Sequence, residues 1–241
     1  MVFFTGDIHG SPWNIRKFCV KNKLTQFDVV VILGDVGANY FLDRRDDNVK
    51  DILAGLTPWI LCIHGNHEMR PWRVPGYSLS QWKGGQVWVQ EIYPRLLFAK
   101  DGEIFTMDGL RYIVIGGAYS VDKYYRLRTG SNWWEDEQPS DEIKAYVEEQ
   151  IAKKPVDVVL SHTCPFRYEP REAFLPMIEQ DTVDDSTERW LDRIEADLDY
   201  KAWFCGHWHL DKRIDRMHFL FHGFESAEPL MRAAFEGGEI E

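Results

Sequence analysis

The amino-acid sequence predicts an α/β fold, in which buried strands alternate with amphipathic helices. Four short runs rich in β-branched residues have the pattern of strands buried on both faces: MVFFT, DVVVIL, PWILCI and VDVVLS. Segments with helical spacing of apolar residues separate these runs. A chain of 241 residues can bury one sizeable core, so we predict a single domain over residues 1–241.

The first helix is expected directly after the first strand, over residues 11–24. Ser11 suits the N-cap position and Pro12 suits the first helical position. Ile15 and Cys19 then fall on one face, which predicts a half-buried helix. Three further segments are also predicted as helices: residues 46–56, 141–153 and 187–198.

The region between the second and third helices favours strands. Residues 86–115 are predicted to form a strand meander, with KDGE and MDGL supplying Asp-Gly hairpin turns. Residues 201–224 are predicted to alternate short strands with turns. The chain therefore mixes strands and helices along its whole length.

The charge balance limits the classes of partner. The net charge is −11, from 28 basic and 39 acidic residues, which argues against a surface that binds a long nucleic acid. It does not exclude a local cationic site for one phosphate group. The sequence has no apolar run of about 18 residues, so we expect no membrane partner. The cysteines are widely spaced and three lie in apolar runs, which predicts reduced thiols and a cytoplasmic location.

Small polar clusters follow five of the predicted strands. They read GDIHG, GDVGAN, HGNHE, SH and GHWH, and six of the eight histidines lie in them. A single histidine or a single Gly-Asp pair is ordinary core or turn chemistry. In α/β sheets, however, functional sites form beyond the carboxyl ends of strands, so the whole set indicates a shared site.

These clusters resemble, in content and order, the motifs of the calcineurin-like metallophosphoesterases. The resemblance runs from residue 6 to residue 209. It implies a four-layer α-β-β-α sandwich of two mixed sheets flanked by helices, with two divalent metal ions at the strand ends.

The resemblance also implies a ligand set for each ion. One ion is expected on Asp7, His9, Asp35 and His209. The other is expected on Asp35, Asn66, His162 and His207, with Asp35 as the bridge. Imidazole, carboxylate and amide donors suit Mn, which is our first choice, or Fe or Zn.

His67 lies beside Asn66 and is not needed as a ligand. In the family the corresponding histidine protonates the leaving oxygen, and we assign His67 this catalytic role. The alternative is a histidine that supports a metal ligand through a hydrogen bond. Glu68 and His64 are expected to be structural.

The sequence departs from the protein-phosphatase branch of the family at GDxxDRG. Ala38 and Asn39 stand where that branch has Asp and Arg. Asp43 and Arg44 could substitute from a longer loop. Arg70 and Arg126 are predicted to bind the phosphate, although both could instead belong to solvated loops.

We therefore predict a dinuclear phosphoesterase that acts by attack of metal-bound hydroxide, with phosphomonoesters as the first choice. The expected substrate is a phosphorylated small molecule or a phosphopeptide. A phosphodiesterase or nuclease acting on nucleotides is the alternative enzyme. A metal-binding scaffold with an inactive site is the non-enzymatic alternative.

Overall fold

The computed structural model describes residues 1–236, and it consists of two mixed β-sheets flanked by helices. Residues 237–241, the end of the predicted 1–241 domain, lie outside the described residues. The α-helices are α1 (Trp13–Lys21), α2 (Arg44–Ala54), α3 (Lys123–Thr129), α4 (Asp141–Lys153), α5 (Ser186–Asp197) and α6 (Glu228–Glu236).

The first sheet has seven strands. They are β1 (Val2–Thr5), β2 (Val29–Ile32), β3 (Trp59–Cys62), β4 (Tyr77–Trp82), β5 (Gly85–Gln90), β6 (Leu96–Ala99) and β13 (Glu225–Ser226). Their spatial order is β13-β1-β2-β3-β6-β5-β4. The four strands in the middle of this order are parallel: β1, β2, β3 and β6. The outer strands β13, β5 and β4 pair antiparallel.

The second sheet has six strands. They are β7 (Ile104–Met107), β8 (Leu110–Ile115), β9 (Val158–Ser161), β10 (Ala202–Cys205), β11 (Lys212–Ile214) and β12 (Met217–Phe219). Their spatial order is β11-β12-β10-β9-β8-β7. The four central strands are parallel to one another, and β11 and β7 pair antiparallel at the two edges. The carboxyl ends of β8, β9 and β10 therefore meet at one edge of this sheet.

Alternation along the strands builds four layers. Val29 and Val31 of β2 pack into a core shared by both sheets, whereas Val30 and Ile32 pack against α1 and α2. On the other side, Val159 of β9 packs against residues of α4 and α5. Because each central strand is buried on both faces, its sequence is almost continuously apolar. The predicted α-β-β-α arrangement of two mixed sheets is confirmed.

The predicted helices occur with adjusted ends. Helix α4 has the predicted bounds, and the others differ by one to three residues at either end. The predicted N-cap of α1 is wrong, because Pro12 occupies that position and the Ser11 N–H instead donates to the Ile8 carbonyl in a turn. The helix ends early because Lys23 has a φ of 53°, which a right-handed helix does not allow.

One of the two predicted hairpin turns is confirmed. MDGL joins β7 to β8 as antiparallel neighbours, with Asp108 and Gly109 both at positive φ. KDGE is not a hairpin, because it carries the chain from β6 in the first sheet to β7 in the second. The Asp101 carboxylate there accepts the Gly116 N–H, so its connection is to the end of β8 rather than to a hairpin partner.

The cysteines and the apolar character of the helices bear on the predicted location of the protein. All four cysteines are buried and free of disulfides. Within residues 1–236, no helix combines the length and the apolar character that crossing a bilayer requires.

Candidate active site

The carboxyl ends of parallel strands bring the predicted site residues together. Asp7, Asp35 and Asn66 follow β1, β2 and β3 in the first sheet. His162 and His207 follow β9 and β10 in the second sheet. The site therefore lies where corresponding edges of the two sheets meet.

Backbone N–H groups hold the two buried carboxylates in place. The His207 N–H donates to Oδ1 of Asp7 at 2.9 Å, across the two sheets. The His67 N–H donates to Oδ1 of Asp35 at 2.8 Å. The His9 N–H donates to the Asp35 carbonyl oxygen at 2.8 Å, which links the first two loops. Each carboxylate is thus oriented by the hydrogen bond that its Oδ1 accepts from a backbone N–H group.

The glycines that precede the site residues are required by close packing. A Cβ at Gly34, whose φ is +107°, would lie 2.0 Å from Nδ1 of His162. A Cβ at Gly65 would lie 2.1 Å from Oδ1 of Asp35. Glycine in these motifs therefore lets side chains of neighbouring loops lie directly against the backbone.

Four of the seven predicted ligands have left-handed backbone conformations. Their φ values are 42° at His9, 46° at Asp35, 65° at His207 and 52° at His209. This region is sparsely populated by residues other than glycine, and strain of this kind concentrates at functional sites.

The first group of ligand atoms is formed by Asp7, His9 and His209. The Nε2 atoms of His9 and His209 face each other at 2.8 Å. Oδ2 of Asp7 is buried, has no hydrogen-bond partner within residues 1–236, and lies 3.2 Å from Nε2 of His209. Two imidazole nitrogens around a buried carboxylate oxygen are a suitable donor set for one divalent cation.

The second group is formed by Asn66, His162 and His207. Nε2 of His162 lies 2.8 Å from Oδ1 of Asn66, and Nδ1 of His207 lies 3.1 Å from the same oxygen. Asn66 uses its amide nitrogen to donate to Ser120, so its oxygen is oriented toward the histidines. Nδ1 of His162 is engaged by the Leu33 carbonyl, which leaves Nε2 as an acceptor. Acceptors that converge in this way fit a cation.

Asp35 lies between the two groups. Its Oδ1 is 3.6 Å from Nε2 of His162, and its Oδ2 is 3.9 Å from Nδ1 of His9. Although burial disfavours the charged form, the His162, His67 and His9 imidazoles hold the pKa of Asp35 below its usual range. Asp7 also comes within reach of Asp35 and His162. The structure thus brings all seven predicted ligands together.

Comparison with known proteins identifies the family. The model of the calcineurin-like phosphoesterase family matches residues 1–211. The chain belongs to this family. Among curated proteins, none matches the chain significantly.

The solved structures similar to this chain include two with low sequence identity. Phosphopantetheinyl Hydrolase (PptH) from Mycobacterium tuberculosis is 16% identical with a TM-score of 0.46, covering 91% of this chain and 87% of its own. A protein of unknown function, AQ665 from Aquifex aeolicus, is 14% identical with a TM-score of 0.35, covering 70% of this chain and 81% of its own. Membership of the calcineurin-like phosphoesterase family supports a metal-dependent phosphoesterase.

His67 of this phosphoesterase points into the site from the loop after β3. Its side chain is 20% exposed, and its Nε2 lies 3.9 Å from Oδ2 of Asp35. Burial lowers the pKa of His67, Asp35 opposes this effect, and Arg126 adds to it. Nδ1 is buried and has no hydrogen-bond partner among the described residues. The side chain reaches the site without being one of the two convergent donor groups.

Glu68 and His64 lie behind the ligands, as expected of structural residues. One oxygen of Glu68 accepts the Gly65 N–H at 3.1 Å. Burial, assisted by the nearby charge of Asp35, raises the pKa of Glu68 to about 8. Burial also holds the pKa of His64 well below its usual range, so its ring is neutral.

Arg70, one of the two predicted phosphate-binding residues, is buried. Its side chain is 1% exposed and forms an ion pair with Asp101. Its Nε donates to the Asp136 carbonyl oxygen at 2.9 Å, and its Nη2 has no hydrogen-bond partner among the described residues. Arg70 thus joins the loop after β3 to the connection between the sheets, and its role in phosphate binding stays a prediction.

Arg126 lies on α3, close enough to His67 to influence its pKa. Its guanidinium donates to Asp122 at 2.8 Å and to the Tyr40 hydroxyl at 2.8 Å. It is therefore held at the edge of the site, and its role in phosphate binding stays a prediction.

Asp43, which could have replaced the Asp of GDxxDRG, is engaged in a helix cap. Asp43 is the N-cap of α2, where its carboxylate accepts the Arg45 N–H at 2.9 Å and pairs with the Arg45 side chain. Asn39 is buried, and its Oδ1 accepts the Tyr77 hydroxyl at 3.2 Å. Asp43 and Asn39 of the loop after β2 therefore form hydrogen bonds that stabilise the fold.

Sequence analysis missed Ser120 and the carbonyl group of Leu33, which orient Asn66 and His162. Ser120 follows β8 within GGAYS, so the same pattern of a small polar cluster after an apolar strand was present there. A backbone carbonyl leaves no signal in the residue type, and Leu33 was recognisable only as the last apolar residue before GD.

A cavity of about 1160 Å³ opens from the site. Asp35, Asn66 and His67 lie at one end of it, together with His207 and His209. The far walls come from the segment 166–183, which connects β9 to α5. The ligand groups therefore face a space far larger than one phosphate.

Proposed function

We propose that the protein is a phosphomonoesterase that uses two divalent cations. The observation that supports this proposal is the pair of converging donor groups, with Asp35 between them, at the inner end of a large cavity. A pair of cations at this spacing of donors would neutralise Asp7 and Asp35 and favour a phosphate dianion.

The donor atoms favour Mn, Fe or Zn over Ca, and Mn remains our first choice. Bound cations would supply Lewis-acid chemistry, stabilising the attacking and leaving oxygens and activating water near neutral pH. The chain's own contribution is to fix this arrangement. Asp7 and Asp35 are oriented by backbone N–H groups, and His162 is oriented by a carbonyl group.

We assign His67 the transfer of a proton to the leaving oxygen. It is the imidazole of the site that takes no part in the two donor groups, and it lines the cavity where a leaving group would lie. Arg126 is proposed to stabilise the phosphate anion from α3. Both roles require the substrate to enter through the cavity.

The substrate is proposed to be a phosphorylated small molecule or a phosphopeptide in the cytoplasm. A net charge of −11 disfavours a long nucleic acid. The buried, unpaired thiols fit a reducing compartment.

The decisive experiment combines metal analysis with a substrate panel. The purified protein, loaded with Mn, Fe or Zn, should contain about two ions per chain and hydrolyse aryl phosphate faster than bis-aryl phosphate. A preference for the diester would favour the phosphodiesterase alternative. Two bound ions with no hydrolysis of either ester would favour the scaffold.

A further inference from the structure

The cavity beyond the ligand groups has a wall of apolar side chains. Trp208 lies between His207 and His209 in sequence, so this wall begins directly at the ligands. The Trp208 ring stacks on Phe174 with centroids 5.7 Å apart. Leu175 lines the same cavity and is 49% exposed. Exposed apolar surface that lines a deep cavity is typical of a ligand site.

The rest of the wall is polar but carries little unpaired charge. Apart from Asp35, the cavity is lined by six carboxyl side chains and two arginines. The carboxyl groups are those of Asp122, Glu169, Glu172, Asp181, Asp185 and Glu188. Three of them form ion pairs: Asp122 with Arg126, Asp185 with Arg189, and Glu172 with Lys212. Burial raises the pKa of Glu169 and that of Glu188 to about 7. The wall therefore has little net charge to offer a charged group of a substrate.

The apolar wall and the paired charges together indicate which leaving group the cavity accepts. We propose that the cavity binds the alcohol portion of the substrate, and that this portion is elongated, largely apolar and uncharged. The proposal rests on the proposed function, because the phosphate must lie at the ligand groups for the alcohol to extend along Trp208 and Phe174. Nucleotides and acidic phosphopeptides would carry additional charged groups into a wall whose own charges are mostly paired.

The size of the cavity agrees with this assignment. About 1160 Å³ exceeds the range of roughly 300–1,000 Å³ common for small-molecule sites. A short alkyl phosphate would leave most of this wall in contact with water. Each further methylene buried against the wall should then raise kcat/KM by about fourfold, until the chain reaches the polar part of the wall.

The first test is a series of alkyl phosphates. Ethyl, butyl and hexyl phosphate should show rising kcat/KM, with hexyl phosphate at least about 10-fold above ethyl phosphate. Phe174→Ala should remove most of this dependence on length. Ile92→Ala is the matched control, since Ile92 is 74% exposed and lies outside the cavity. Equal kcat/KM for all lengths in the wild type would overturn the proposal.

The second test addresses charge at the same length. The protein should prefer hexyl phosphate over both 6-aminohexyl phosphate and 5-carboxypentyl phosphate by at least about fivefold, because the wall has little unpaired charge to compensate the lost hydration of either charged group. A preference for either charged ester over hexyl phosphate would overturn the assignment of an uncharged alcohol.

A binding measurement separates this inference from the proposed function. Calorimetry on the metal-loaded protein should show that hexylphosphonate binds more tightly than ethylphosphonate, and that Phe174→Ala reduces the difference. If no ester is hydrolysed while this preference holds, the phosphoesterase proposal fails and the cavity assignment stands. If esters are hydrolysed and both phosphonates bind equally, the cavity assignment alone fails.

Discussion

Nδ1 of His162 lies 2.7 Å from the carbonyl oxygen of Leu33, across the junction of the two sheets. Because a carbonyl only accepts, the ring proton is on Nδ1 and the Nε2 lone pair faces Asn66. This contact prepares one histidine of the second sheet for an ion that the first sheet also binds.

Two single variants, each lacking one histidine from a different donor group, should therefore lose different ions. We expect His162→Ala and His9→Ala each to reduce metal content from about two ions to about one per chain, and the double variant to bind none tightly. Elemental analysis after gel filtration measures this. His222→Ala, in an exposed residue not assigned as a ligand, is the control. Loss of both ions from either single variant would mean that the two groups form one cooperative site.

Asp35→Asn should lower metal content and activity together. Asp35 is the carboxylate that lies between the groups, and an amide offers weaker donation to both ions. We expect kcat/KM to fall by far more than ~10-fold, with metal content well below two. Asp51→Asn, in an exposed residue bonded to Tyr93, serves as control. Two retained ions with a rate within about threefold of wild type would contradict the bridging assignment.

His67→Ala should depend on the leaving group. A general acid helps only when the departing oxygen needs a proton, so hydrolysis of alkyl phosphates should fall by about 10²–10⁴-fold. A nitrophenyl phosphate should lose clearly less, and metal content should stay near two. Steady-state kinetics on both esters with metal analysis measures this. An equal loss for both esters would assign His67 to phosphate positioning or, if the ions are lost as well, to metal support.

Arg70 and Arg126 should respond in different measurements. Arg70→Ala leaves Asp101 buried without its partner, so we expect the free energy of unfolding to fall by about 3–5 kcal/mol. Asp101→Asn should have a comparable effect on denaturant unfolding. Arg126→Ala should instead lower kcat/KM by the equivalent of about 1.5–3 kcal/mol with little change in stability. A stable Arg70→Ala protein with a raised KM would favour Arg70 as a phosphate ligand.

Glu188→Gln should change how stability depends on pH. Burial raises the pKa of Glu188 to about 7, from an ordinary value of 4.5. Between these two values the unfolded chain ionises while the folded chain stays protonated, so the wild type loses stability as pH rises. The variant has no such loss and should be more stable by about 1–3 kcal/mol at pH 8, with little difference at pH 4.

Denaturant unfolding at several pH values measures this difference. Glu149→Gln, in an exposed residue paired with Lys153, should change stability by less than about 0.5 kcal/mol at any pH. A Glu188→Gln difference that is the same at pH 4 and pH 8 would show that Glu188 does not carry a raised pKa.

Much of the fold could be predicted from the sequence, because the central strands are buried on both faces. Val29 to Ile32 are apolar without alternation, and this run alone predicted a buried strand. Which sheet each strand joins was not readable. The turn at Asp101 and Gly102 has the composition of a hairpin, yet Asp101 is engaged by Arg70 from a distant loop. Tertiary pairing of this kind has no local signal.

The ligands were predictable because each follows an apolar strand in a short motif. The partner of Arg70 was not predictable, since an arginine three residues after His67 is compatible with either a phosphate or a buried carboxylate. The ion pair with Asp101 appears only in the structure. The cavity wall was also missed, because residues 166–183 have no regular periodicity and their chemistry appears only when Trp208 packs against them.

Left-handed backbone conformations occur at His9, Asp35, His207 and His209. At these positions, selection for stability and selection for catalysis therefore favour different residues. Glycine adopts such a backbone without the penalty of roughly 1 kcal/mol that other residues carry. A laboratory evolution experiment that rewards heat resistance alone should therefore accumulate glycine at these four positions. The selected variants would be more stable but catalytically inactive, because the same substitutions remove the donor atoms.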